Sequence, residues 1–299
     1  MNNWIYFALI AQLIWALCSL IDKFVISNEH IKSPVVYVVL NGLTNLFLVF
    51  LLPFAGFERL NLASFLIALL AGLSFSISVT LYYKAVQYDE ISRVVMLFQL
   101  TPIIVLALSN LFLGEILTFN HYLGFLSLLS AGFVVSYKRV KQSFMLSKAF
   151  YLMLLSAFFA AVSLVSGKYI YSVTSFWSAF LWLRLTAISS ICVLIVPSIR
   201  SQFIETFKNM KNRIKGLLTF KMVIDFSAFI FSGYAILNGP ISLVAALSSS
   251  AAPLLVFVLS SATSLYFPQL IKENIDKKSI STKIIAIVLI IVGIIFVNR

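Results

Sequence analysis

Arg184 and Asp225 are the residues that first call for chemistry, because both stand inside long apolar runs. A charged side chain at the centre of a bilayer costs about 2.5–3.5 kcal/mol on insertion scales, so such groups are kept with a partner or for a use. Arg184 falls about 13 Å into the run Phe176–Val196 at about 1.5 Å per residue. Asp225 falls about 12 Å into the run Leu217–Leu237, counted from the opposite face. Both depths lie near the midplane, so neighbouring antiparallel helices can bring the two together as a buried pair. Two readings stay open. The pair is a fixed salt bridge that closes a bundle, or Arg184 holds an anionic group of a solute while Asp225 exchanges a proton or orients the arginine.

A second set of polar groups surrounds two prolines. Gln99 and Thr101 flank Pro102, and Ser248, Ser249 and Ser250 precede Pro253. A proline inside a helix frees the carbonyl four residues back, here Phe98 and Ser249. At membrane depth such a carbonyl must be met by protein or by a wet cavity. Gln99, Thr101, Ser248 and Ser249 are therefore candidates for a substrate path. The alternative for the serines is close packing, since Ser242, Ala246 and Ser250 recur every four residues as a small-residue face. Lys23 and Lys168 sit near helix ends, where they either snorkel to headgroups or act as gating or interface contacts.

Other chemistries find no support. No His-Glu-x-x-His helix occurs, and the two histidines, His30 and His121, lie outside the centres of the apolar runs. No Walker lysine motif and no repeated filter loop is present. Cys18 and Cys192 lie inside apolar runs as two small core residues, with no metal spacing and no disulfide framework. The expectation is no catalytic residue, no metal and no cofactor. The net charge of +12 does not imply nucleic-acid binding, because the basic residues sit between apolar runs and not along one face.

The elements that must position these groups are read from composition. Hydrophobic residues make up 61% of the 299 and charged ones 11%, with a mean hydropathy of +1.04. Soluble domains run about half apolar and a quarter charged, so this chain is an integral membrane protein. A 30 Å hydrocarbon core takes about 20 apolar residues per helix. Ten segments qualify: Trp4–Ile21, Pro34–Ala55, Leu62–Val86, Val94–Leu113, Tyr122–Tyr137, Phe150–Tyr171, Phe176–Val196, Leu217–Leu237, Ile241–Phe267 and Ile284–Val297. The longest link, Pro197 to Gly216, carries Arg200, Lys208, Lys211, Arg213 and Lys215 against Glu205, and reads either as a basic segment on an anionic membrane surface or as a solvated loop. Lysines and arginines concentrate in the odd-numbered links, Lys84, Arg93 and Lys221 among them. The positive-inside rule then puts those links in the cytoplasm and both termini outside.

The two halves match in order. Lysine ends the first segment of each half, at Lys23 and Lys168. Tyrosine ends the third, at Tyr83 and Tyr234. Ile91-Ser92 and Ile241-Ser242 open the fourth, with Pro102 and Pro253 following. Glutamate comes next, at Glu115 and Glu273, and a glycine-centred apolar run closes each half, around Gly132 and Gly293. Five helices per half is odd, so the second half enters the membrane from the opposite face. That is an inverted repeat, with the solute site expected between the halves.

These same residues carry a resemblance: Trp15 and Asp22-Lys23, then Tyr83-Lys84-Ala85, Ser92, Thr101-Pro102, Leu113-Gly114-Glu115, Leu117-Thr118, Gly124 and Gly132, and in the second half Gly239-Pro240-Ile241-Ser242, Pro253, Lys272-Glu273 and Gly293. The sequence resembles the EamA branch of the drug/metabolite transporter superfamily. The resemblance implies an all-α integral membrane protein of ten transmembrane helices in two inverted five-helix repeats, residues 1–140 and 141–299. It further implies a secondary transporter of a small polar metabolite, such as an amino acid or sugar, working by alternating access in the cell (plasma or inner) membrane. Export or exchange is expected, coupled to an ion gradient. The partners expected are the small-molecule substrate and the bilayer, with no nucleic acid, in a monomer or homodimer. The competing class is an intramembrane lipid-modifying enzyme or another non-transport polytopic membrane protein. The second half departs from the family pattern in lacking a Gly-Glu pair after its fourth helix.

Overall fold

The chain is described from a computed structural model over residues 3–27, 39–40, 42–46, 56–86, 88, 97–136, 148–266 and 277–298. Most of the expected segment Pro34–Ala55 lies outside these residues, as do Ser92, Arg93, Asp89, Glu90, Lys272, Glu273 and the side chains of Lys23 and Tyr83. The described elements are helices, in the order α1 (Asn3–Ser27), α2 (Leu62–Val86), α3 (Leu100–Leu113), α4 (Phe119–Ser136), α5 (Lys148–Val173), α6 (Phe176–Ala187), α7 (Pro197–Asn209), α8 (Asn212–Asn238), α9 (Ile241–Tyr266) and α10 (Lys277–Val297). Among the described residues there is no strand.

Five of these helices, α1, α2, α5, α8 and α9, are long and apolar enough to cross a membrane. Large apolar side chains line the outer faces of two of these helices and of α10. Tyr6, Ile10, Leu13 and Leu17 form an exposed stripe on α1, Leu62, Leu66, Leu70, Leu73 and Ile77 on α2, and Ile284, Val288, Ile291 and Ile295 on α10. Each stripe keeps helical spacing, and in water such faces would be an aggregation hazard. Many buried positions are small, among them Ala8, Ala11 and Ala16 of α1, Ala68 and Ala71 of α2, and Ala149, Ala157 and Ala161 of α5, beside larger buried side chains such as Leu128, Met153 and Phe180. Small residues at helix crossings are expected where lipid offers no hydrophobic drive and close backbone approach supplies the contact. The chain is a multi-pass membrane protein.

Local signals set the ends. Asn61 accepts the Ser64 N–H at 2.8 Å as the cap of α2, and Thr118 accepts the His121 N–H at 3.3 Å at the start of α4. Gly114 ends α3 at φ +63°, a left-handed conformation that glycine adopts without steric cost. The run Phe176–Val196 is not one α-helix. It winds as α6 to Ala187 and then as a 3-10 helix over Ile188–Ile195. The 3-10 rise of about 2.0 Å per residue gives the two together a length of about 34 Å, enough to span. The basic link is also helical: α7 opens with proline at its first turn, the position proline favours. It leaves Ile204 and Phe207 exposed, while Phe203 packs toward Leu40, Met210, Ile214 and Leu218.

The helices alternate in direction. The Glu58 N–H donates to Ser178 Oγ at 3.0 Å and the Trp182 indole to Glu58 O at 3.0 Å, tying the start of α2 to the start of α6. Lys168 near the end of α5 reaches the end of α8, Gly239 after α8 lies under Trp4, and Ser242 opening α9 donates to Glu115 after α3. The starts of α1, α2, α4, α6 and α9 thus share a face with the ends of α3, α5, α8 and α10. The most extensive packing joins α1 to α8, α2 to α5 and α4 to α10, followed by α1 to α9, α4 to α9 and α3 to α5. At the crossing of α4 and α10, a side-chain carbon on Gly124 would stand 3.0 Å from Gly293 O, and one on Gly293 would stand 3.2 Å from Gly124 O. Gly132, paired with Gly293 by sequence position, instead lies beneath the Gln99 amide.

Candidate functional site

Small residues hollow out the centre between α1, α2, α5, α6 and α8. Ala71 and Gly72 of α2, Ser163 and Gly167 of α5, Ala187 of α6, and Ser232 and Gly233 of α8 line a cavity of about 140 Å³. Trp15, Phe75, Tyr171 and Phe229 wall it with aromatic faces, and Arg184 is its cation. The glycines are required by close approach. A side chain on Gly72 would run into the Thr186 backbone, and one on Gly233 would meet the Tyr171 hydroxyl oxygen at 2.5 Å.

Arg184 sits in a cage of rings. Its guanidinium carbon lies 4.1 Å from the centroid of Phe229 and 6.0 Å from those of Phe75 and Phe180. A cation over an aromatic face is stabilised by the ring quadrupole by about 2 kcal/mol when desolvated. That does not replace the hydrogen bonds of a fork with five donors, and its Nη1 is buried with no hydrogen-bond partner.

The expected Arg184–Asp225 ion pair does not form: Arg184 feels Asp225 only through the field, and the described ion pair is Lys221 Nζ to Asp22 Oδ2 at 3.1 Å. Lys221 lies four residues before Asp225, so both point from one face of α8, where α1 supplies Asp22 and Trp15. Asp225 lies in the field of Lys221 and Asp22 and takes a hydrogen bond from Trp15. Asp22 keeps Oδ1 buried without a partner. Cys18, a turn before Asp22, points its thiol toward Lys221 O at 3.9 Å. Lys221, read from the sequence as a link lysine, is 8% exposed. Its spacing to Asp225 was the available signal. Cys192, expected in the core, is exposed.

Pro253 acts as expected inside α9, and protein meets the carbonyl it frees; Pro102 instead falls in the first turn of α3, where its missing N–H breaks no helical bond. Thr101 N–H closes on Phe98 O at 2.9 Å, while Gln99 Nε2 donates to Ser249 O at 3.1 Å. Ser249 and Ser250 turn their hydroxyls back to Ala246 O and Leu247 O at 3.1 and 3.0 Å, and Ser242, Ala246 and Ser250 are fully buried. The helix face behaves as a packing face. Thr101 Oγ1 is buried without a partner, and Ser248 is half-buried. Gln99, Thr101, Ser248 and Ser249 do not line the Arg184 cavity.

Of the two roles expected for Lys168, it takes that of a contact at an interface between helices, bridging α5 to the end of α8. It donates to Ile236 O, Leu237 O and Gly239 O at 2.7, 2.9 and 3.0 Å. These are orphan carbonyls at the negative end of α8, so Lys168 caps one helix from another. Glu58 performs the opposite task at the start of α6, accepting from Thr174 Oγ1 and the Ser175 N–H. Hydrogen bonds from Ser175 and Thr174 hold the Glu58 carboxyl below the usual carboxylate range.

Residues 2–137 match the EamA-like transporter family. The fold is also that of a solved crystal structure of a protein that is 15% identical, with a TM-score of 0.70 over 99% of this chain and 99% of that one. No curated protein matches this sequence.

Proposed function

We propose that this chain, which matches the EamA-like transporter family over residues 2–137, is a secondary carrier of a small polar metabolite working by alternating access in the cell (plasma or inner) membrane. One observation carries the reading. The cavity lies between the halves, with α1 and α2 from residues 1–140 on one side and α5, α6 and α8 from residues 141–299 on the other. A site at that seam is opened to either face when the halves rock. The packing supports an inverted repeat of two five-helix units. α1 packs on α8 and α9 as α5 packs on α2 and α3, while α4 meets α10 and α3 meets α9. An operation that swaps the halves exchanges the first two sets and returns the last two to themselves.

Export or exchange coupled to an ion gradient is the expected mode. Purified protein in proteoliposomes, preloaded with unlabelled solutes from an amino-acid and sugar panel, should show saturable counterflow of a labelled member. Ser232→Trp, which fills the cavity, should abolish it. Linear uptake equal to that of empty liposomes across the panel, or chemical conversion without flux, would remove the carrier reading.

A further inference from the structure

The site holds one guanidinium with an unpartnered Nη1, no contacting carboxylate and a mostly apolar wall that includes four aromatic rings. Resting on the carrier reading, the structure assigns Arg184 as the holder of the carboxylate of a small monoanionic solute with an apolar body, whose binding brings a proton onto the Asp22–Asp225 pair.

Three observations converge. The first is size. An apolar cavity of about 150 Å³ takes benzene, so about 140 Å³ takes a body of roughly that bulk, with the carboxylate on the arginine. The second is charge. One planar fork matches one carboxylate bidentately, whereas a dianion would face a single cation with Asp225 close by. The hydroxyls of Ser163 and Ser232 leave room for a further polar group.

The third is charge balance across the neighbouring cluster. The groups facing Asp225 are Cys18, Asp22 and Trp15 from α1, Lys221 from α8 and Arg184 from α6. Tyr171 from α5 faces Arg184, and α9 carries no charged residue. Two carboxylates against Lys221 and Arg184 sum to zero before any solute enters. Adding a monoanion leaves one uncompensated negative charge in a medium where that is costly. A proton on one carboxylate restores the balance. Asp22 Oδ1, buried and unpartnered, is an acceptor with room for it. Solute and proton then favour each other's binding, and the linkage is reciprocal.

The test uses the full chain in an uncharged maltoside detergent, so that no lipid phosphate competes for Arg184. Benzoate should raise Tm saturably, by about 2 °C or more, while benzamide and benzylamine, of the same shape, should not. The apparent affinity for benzoate should strengthen from pH 8 to pH 6, by up to about tenfold per unit for one linked proton, while benzoate itself stays ionised. Arg184→Gln should lose the benzoate response. Asp225→Asn, which mimics the protonated form, should keep it and flatten its pH dependence. If Arg184→Gln fails to fold, the contrast between benzoate and benzamide on the native chain still decides. Equal stabilisation by benzamide, or none by benzoate, overturns the anion site. An affinity independent of pH in the native chain overturns the proton linkage. Benzoate binding with no counterflow leaves the site standing and removes the carrier reading. Saturable counterflow of neutral solutes with no response to benzoate does the reverse.

Discussion

Substituting Gln99 by leucine isolates the contact in which one half of the chain repairs a defect in the other. Pro253 has no N–H to give to Ser249 O, and Gln99 Nε2 supplies the missing donor at 3.1 Å. Leucine keeps comparable volume above Gly132 and removes the donor. Hydrogen bonds between helices in a membrane average about 0.6 kcal/mol and reach about 1.7. A buried carbonyl left unpaired costs about 1–3 kcal/mol. Gln99 is 1% exposed, so water cannot substitute, and the expected loss is about 1–2 kcal/mol. Pro253→Ala restores an N–H four residues after Ser249, and the helix then closes its own bond. In that background Gln99→Leu should cost nearly nothing. Detergent-micelle unfolding with sodium dodecyl sulfate, read by circular dichroism, gives the four free energies of the cycle. A cost for Gln99→Leu that is the same with and without Pro253 would refute the reasoning, because the carbonyl would then not be what Gln99 serves.

Lys221 should tolerate loss less well than its partner. Lys221→Met leaves Asp22 and Asp225 buried together without the lysine and should cost about 3–5 kcal/mol, while Asp22→Asn leaves Lys221 facing Asp225 and should cost less. Equal losses in the same unfolding assay would contradict this. At the crossing of α4 and α10, Gly124→Val should lower the yield of folded protein on size exclusion by forcing the helices apart, and Gly216→Val, where nothing stands within 4 Å, should not. The Glu58 contact sets a pH dependence. Its carboxyl is held below the ordinary range by Ser175 and Thr174, so its contribution is fully present above its unfolded pKa of about 4.3 and fades as pH falls through the lower folded value. Comparing Tm with that of Glu58→Gln from pH 7 to pH 3, the gap should narrow only in the acid limb. A gap that narrows between pH 7 and pH 5 would contradict it.

Much of this protein was determined by sequence alone, for a physical reason. In hydrocarbon each backbone donor and acceptor must be met within the segment, so an apolar run of sufficient length has one solution, a helix. Most of the expected runs are helical where described, with ends moved by a turn or so. Depth followed from residue count, which placed Arg184 in the bundle interior. Proline chemistry named Ser249 O as a carbonyl in need of a donor. Tertiary structure decided which groups meet. Arg184 and Asp225 share a depth, but rotation about each helix axis separates them. Asp225 turns with Lys221 toward α1, and Arg184 turns to the rings of Phe75 and Phe229. The cavity was illegible in sequence because it is made of what is small or missing, Gly72, Gly167 and Gly233 from three helices. Such residues reveal a space only once their helices are packed against one another.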